Sequence, residues 1–265
     1  MRYVSPFQLT ITLAAALILL FIVAPLVGMF DSTSSPEIFA TAKDAEVQES
    51  IKLTIWTSLA ATVLFAMAAI PLSYLLARKN FPFKSIVSGI IDLPIVIPHS
   101  AAGIAILGFV SRDSVLGQMG SAIGLNFVGH PAGIAIAMAF VSLPFLINAA
   151  RDGFSGVPVR LEKAALTLGA SPARVFFTIS LPLAWRSIVS GLIMMFARGM
   201  SEFGAVIMVA YHPMITPILI YERFGAFGLK YARPLSVLFI LISLAVFIAL
   251  RMLARSKEQK STPHA

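Results

Sequence analysis

LEKAALTLGASPARVFFTISLP, residues Leu161–Pro182, is the longest soluble-looking segment in an otherwise apolar chain. Pro158 suits the first turn of a helix, where its missing N–H costs nothing. A helix is therefore predicted over Val159–Leu168, with Gly169 just past its end. Ser171-Pro172 restarts the chain as an N-cap followed by a first-turn proline. A second helix is predicted over Ala173–Ser180, interrupted by Pro182. Long apolar runs lie on both sides. A charged helix–turn–helix hung between two membrane-crossing runs has the shape of an element that another protein grips.

The composition fits that setting. The 265 residues are 58% hydrophobic and only 12% charged, where a soluble domain carries roughly twice that charge. The chain reads as an all-α, polytopic integral membrane protein. It has no cysteine, so neither a disulfide framework nor a thiolate metal site is available. The net charge of +8 does not point to nucleic acid, because the basic residues sit at the ends of apolar runs, where they set orientation.

Six spans are predicted, at about 9–30, 53–77, 86–110, 131–150, 188–211 and 235–254, each near the length needed to cross a bilayer. The first is too long for a signal-peptide core and no small-x-small cleavage site follows it, so it reads as a retained helix. Residues 31–49 form an acidic connection, 151–187 a basic loop and 255–265 a polar tail. With both termini inside, the inner segments hold Arg2, Arg78, Lys79, Lys84, Arg151, Arg160, Lys163, Arg174, Arg186 and the tail basics. The outer segments hold Lys43, Lys52, Arg112, Arg223, Lys230 and Arg233, a bias of about two to one. That places Leu161–Pro182 in the cytoplasm. No internal repeat is evident, which argues against an inverted-repeat secondary transporter.

Polar groups inside the spans are the other source of function. Asp92 shares the stretch DLPIVIPHSAAGIAIL with Pro94, Pro98 and His99, and a mid-membrane charge must face protein or water. Two readings stand: a pore-lining break, or a kinked buried helix whose Asp92 binds backbone N–H groups or a basic partner. His99 reads as a hydrogen-bonded packing residue, with no second histidine spaced for a metal site. Arg198 and Glu202, four apart in RGMSEFGAVIMVAY with Ser201 between them, share a helix face. They read as an ion pair turned to the bundle interior; the sharper alternative is that Arg198 offers positive potential to a passing anion. Gly199, Gly204 and Ala205 permit close helix crossing. No G-x-x-x-x-G-K-[ST] loop, H-E-x-x-H helix or nucleophile elbow is present, so ATP chemistry and catalysis are not expected on this chain.

The opening stretch resembles the EAA loop of ABC importer permeases: E-A-A, three residues, G, nine residues, I-x-L-P. Ala164, Ala165, Gly169, Ile179, Leu181 and Pro182 fall in register, while Lys163 stands where the family has Glu and Glu162 lies one residue earlier. The resemblance implies that this loop docks on an ATPase subunit and couples to it. DLPIVIPHSAAGIAIL, RGMSEFGAVIMVAY and PILIYERF are similar to the molybdate/tungstate branch of the oxyanion permeases, close to its archaeal-type members, with the sulfate/thiosulfate permeases next. What this resemblance implies is a permease homodimer in a prokaryotic cell membrane, two ATPase subunits carrying ATP and Mg, and an extracytoplasmic molybdate/tungstate-binding protein. The alternatives are a sulfate/thiosulfate permease and a proton-coupled transporter using Asp92 or Glu202.

Overall fold

The computed structural model describes residues 6–259; Arg2, Lys260 and the end of the polar tail lie outside the described residues. Among the described residues the chain is helical, with no strand. In order, α1 spans Pro6–Asp31, α2 Ser35–Lys43, α3 Ala45–Arg78, α4 Lys84–Val96, α5 His99–Val110 and α6 Val115–Ala122. Then come α7 Pro131–Gly156, α8 Val159–Thr167, α9 Pro172–Val175, a π turn Phe176–Ser180 and α10 Leu181–Met200. Last are α11 Gly204–Val209, α12 Thr216–Phe227 and α13 Leu229–Gln259.

Among the described residues, five helical stretches are individually long and apolar enough to cross a membrane: Phe7–Asp31, Ala45–Arg78, Pro131–Gly156, Pro172–Met200 and Leu229–Ala254. The stretch expected as a third span is instead the pair α4 and α5, bent by 112°. Pro94 and Pro98 account for the break, since each removes a backbone donor and the residue before Pro98 is forced out of the helical region. Ile97 is indeed extended, at φ −72° and ψ 147°. A second departure concerns 188–211. The helix begins earlier and ends at Met200; the chain then breaks over Ser201–Phe203 before the short α11. The last span also runs on, so that 255–259, expected as polar tail, continue α13.

The core is built around α7, which packs most extensively against α10 and α3. In lipid, helices gain little from apolar burial and associate through close packing and hydrogen bonds. The buried face of α3 shows this. It is made of small and hydroxyl residues, among them Ser50, Thr54, Ser58, Ala61, Thr62, Ala69 and Ser73. Each hydroxyl must be satisfied in the absence of water. Thr54, Thr62 and Ser73 donate to carbonyls four residues back, at 2.6, 2.8 and 2.7 Å. Others tie helices together: Ser58 donates to the Phe196 carbonyl at 2.7 Å, and Ser73 is within 3.1 Å of the Ile147 carbonyl. The large apolar side chains of α1 point outward instead, and none of its apolar window is buried.

At the end opposite the Leu161–Pro182 loop, Arg223 of α12 reaches Asp44 at 2.6 Å and Glu46 at 3.2 Å. The hydrogen bond and charge of Arg223 hold the Asp44 carboxyl below the usual range. This clasp joins the N-terminal end of α3 to α12, and α2 lies along α13.

Candidate functional site

Two groups of residues stand out, one in the charged loop and one where the two helix breaks meet. In the loop, α8 ends as its sequence dictates. Gly169 is left-handed (φ +85°) and the Ala170 N–H returns to the Ala165 carbonyl at 3.0 Å, closing the helix with a glycine cap. Ser171 then caps α9, its hydroxyl accepting from the Arg174 N–H at 3.3 Å. The interruption expected at Pro182 takes the form of a π turn and not of a break in the helix. The proline ring would crowd the carbonyl four residues back, and the chain absorbs this as a wider turn: the Leu181 N–H bonds to the Phe176 carbonyl, five residues back. The result is a continuous helical stretch, Pro172–Met200, from the loop into the bundle.

Glu162 turns inward, not toward a partner. Its carboxylate takes Arg78 Nε at 2.9 Å on both oxygens and Arg78 Nη2 at 2.8 Å, the two side chains being 8% and 10% exposed. The Ser180 hydroxyl donates to Oε1 at 2.7 Å and Tyr74 approaches Oε2 at 3.4 Å. Arg78 Nη2 also donates to the Val157 carbonyl at 3.0 Å. Burial alone pushes the Glu162 carboxyl up, but the hydrogen bonds and charge arrayed on it outweigh that and hold it below the usual carboxylate range. Tyr74 packs edge-on to Phe154 and Phe176, completing the joint. One carboxylate therefore fastens α8 to the end of α3 and to the turn entering α10. Lys163, Ala164 and Leu168 lie exposed on the outer side, Ala165 is half-buried, Ile179 and Leu181 are half-buried, and Pro182 is exposed.

In the bundle, His99 opens α5, Arg198 sits in the last turn of α10, and Ser201 and Glu202 occupy the break. The structure brings these four together. Glu202 is completely buried; its Oε1 accepts the Ala205 N–H at 2.8 Å, and its Oε2 lies 2.9 Å from Arg198 Nη2 and 3.1 Å from His99 Nδ1. Arg198 Nη2 stands 3.0 Å from the His99 ring nitrogens and Nη1 donates to Ser201 Oγ at 3.3 Å. Glycines allow the approach: a Cβ on Gly204 would meet His99 Cβ at 2.7 Å, and one on Gly103 would meet the Ala205 carbonyl at 2.7 Å. Asp92 lies elsewhere. It accepts from Asn148 Nδ2 at 2.6 Å, so its hydrogen-bond partner is a neutral amide of α7, where the buried-helix reading named backbone N–H groups or a basic residue. The carbonyl oxygen of Asn148 is buried without a partner. Among the described residues no group of three or more His, Cys, Asp or Glu side chains is gathered to hold a metal.

Arg78, Ser180, Tyr74 and Asn148 were not legible as site residues. Arg78 figures in the sequence only as a positive charge at a span end, and 84 residues separate it from Glu162. Asn148 is one uncharged residue within an apolar span.

Apolar spans, a charged seam at paired helix breaks and a helix–turn–helix fastened to two span ends make this a polytopic membrane protein. Residues 69–259 match the family described as binding-protein-dependent transport system inner membrane component, and the chain belongs to that family. It is 43% identical over 251 residues to the molybdate/tungstate transport system permease protein WtpB of Methanocaldococcus jannaschii, covering 95% of this chain and 98% of the relative. A probable sulfate transport system permease protein of Chlorokybus atmophyticus is 29% identical, covering 94% and 88%. The fold is similar to that of a chain in the crystal structure of a bacterial ABC transporter involved in the import of the acidic polysaccharide alginate, with TM-score 0.72 at 17% identity over 94% of this chain and 96% of that one.

Proposed function

We propose that this chain is the transmembrane subunit of an ATP-driven importer for molybdate or tungstate. In this reading two copies form the pathway in a prokaryotic cell membrane, with six spans each if α4 and α5 count as one and with both termini cytoplasmic. An extracytoplasmic binding protein delivers the anion, and two separate ATPase subunits hold ATP and Mg. The family and the 43% identity across 95% of the chain support the substrate class; the sulfate relative stands at 29%. The observation that carries the mechanism is the loop. Its outer face, Lys163, Ala164 and Leu168, is free to be gripped, while its inner face is locked through Glu162 to α3 and α10. A push on α8 is thus delivered to two helices. Over the 20 residues of α10, at about 1.5 Å per residue, it reaches roughly 30 Å into the bundle. There Arg198, Glu202 and His99 sit at the junction of two broken helices, a place where two packings can exchange.

The chain has no cysteine, so Ala164→Cys would place a single thiol on the exposed face of α8. The reading predicts that a short bifunctional reagent captures an ATPase subunit in native membranes, with a yield that changes with ATP. If well-expressed Ala164→Cys and Leu168→Cys proteins both capture nothing that binds ATP, the coupling role is wrong.

A further inference from the structure

The group at the helix breaks has features that a packing role alone does not explain. Arg198 and His99 keep 22% and 38% of their side chains exposed, and Ser201 is exposed beside them. Charged and polar groups at membrane depth cannot face lipid and must line water or protein. Glu202, by contrast, is fully buried, and one of its oxygens is badly served. Oε2 has Arg198 Nη2 and His99 Nδ1 within 3.1 Å, yet neither makes a hydrogen bond of acceptable geometry to it. Arg198 Nη1, likewise, reaches only a long 3.3 Å contact with Ser201.

Resting on the importer reading, we propose that Arg198, His99 and Ser201 form a transit subsite for a tetrahedral oxyanion, and that Glu202 is its built-in competitor. Guanidinium, imidazole and hydroxyl together present the donors a tetrahedral oxyanion takes, and guanidinium binds such oxygens through paired N–H groups. With the subsite empty, Glu202 supplies the negative charge that Arg198 requires in the membrane. With an anion present, the same carboxylate repels it. A loose, misaligned pair exchanges partners more readily than a well-bonded one. The outcome is weak binding, which a pathway needs if the solute is to leave. Glu202 is therefore a positioning and affinity-setting residue, and Arg198 the one that touches the anion.

Glu202→Gln tests this, because a glutamine carbonyl still accepts the Ala205 N–H while the competing charge is gone. The purified permease–ATPase complex, without binding protein, would be titrated with sodium tungstate against a sodium chloride control, following thermal unfolding and retention of labelled tungstate. Relative to wild type, Glu202→Gln is expected to bind tungstate at least about tenfold tighter and to gain thermal stability with it. Arg198→Met added to Glu202→Gln should abolish both effects. A Glu202→Gln complex no more responsive to tungstate than wild type overturns the subsite. Should Glu202→Gln fail to assemble, His99→Gln and Ser201→Ala are measured instead. Each is expected to lower tungstate import per ATP several-fold with assembly intact, and unchanged import overturns the proposal. A wild-type complex that imports no oxyanion with its binding protein and ATP would sink the importer reading itself, a separate result.

Discussion

Replacing Arg78 by methionine tests the joint on which the proposed transmission from the loop rests. Arg78 and Glu162 are 10% and 8% exposed and share a two-pronged contact at 2.8–2.9 Å. With the guanidinium gone, the Glu162 carboxylate keeps only Ser180 at 2.7 Å and the long Tyr74 contact at 3.4 Å, and the Val157 carbonyl loses its donor. Breaking a buried pair from one side costs about 3–5 kcal/mol, because a buried charge is left uncompensated. For a chain of this size, about 2–4 °C per kcal/mol makes that a fall in Tm of roughly 6–20 °C. Removing both charges together, as Arg78→Met with Glu162→Leu, leaves an apolar contact of similar volume and should restore most of the loss. The assay is a double-mutant cycle on detergent-purified protein, read by thermal unfolding. A loss below about 1 kcal/mol for Arg78→Met, or a double variant as unstable as the sum of the two single ones, would refute the reasoning.

The other predictions are more local. The Glu162 carboxyl is held below its usual range when folded, so its stabilisation is complete above the unfolded value and disappears as pH falls through the lowered one. An acid titration of stability should therefore show a loss below the ordinary carboxylate range that is smaller in Glu162→Gln. Asp44, lowered by Arg223, should add to the acid loss in the same direction, seen as a smaller loss in Asp44→Asn. Gly103→Ala would drive a methyl into the Ala205 carbonyl at 2.7 Å and Met208 Cβ at 2.8 Å, costing about 1–3 kcal/mol by overpacking and lowering Tm accordingly. Thr54→Val removes the oxygen that accepts the Thr216 N–H at 2.9 Å; leaving that buried donor unmet should cost about 1–3 kcal/mol in thermal unfolding.

Much of the fold is written locally. The bend between α4 and α5 follows from Pro94 and Pro98, and the end of α8 from Gly169, because each residue restricts its own backbone. The break after Met200 carries no such mark: Ser201, Glu202 and Phe203 contain no proline or glycine, and only the tertiary fit of α11 against α5 makes it visible. Ser34 and Glu37 did carry a legible signal inside the acidic connection. They form a reciprocal helix cap, with the Ser34 N–H donating to Glu37 at 3.0 Å, a spacing that marks a helix start. The loop motif likewise marked Glu162 through Pro182 as a unit. What the motif does not encode is direction: that Glu162 faces inward to Arg78 is set by how α3 and α10 meet. The cluster at the breaks was half legible. Arg198 and Glu202 are four apart, whereas His99 joins them from 99 residues away through a glycine contact.

The measurement closest to the central claim is tungstate uptake into proteoliposomes holding this chain with the proposed ATPase subunit and binding protein, with ATP supplied on the side that carries the Leu161–Pro182 loop. The account predicts uptake that requires all three proteins and ATP, survives collapse of the proton gradient and falls when Glu162 is uncoupled from Arg78. Uptake by this chain alone, driven by a proton gradient and indifferent to ATP, would contradict it.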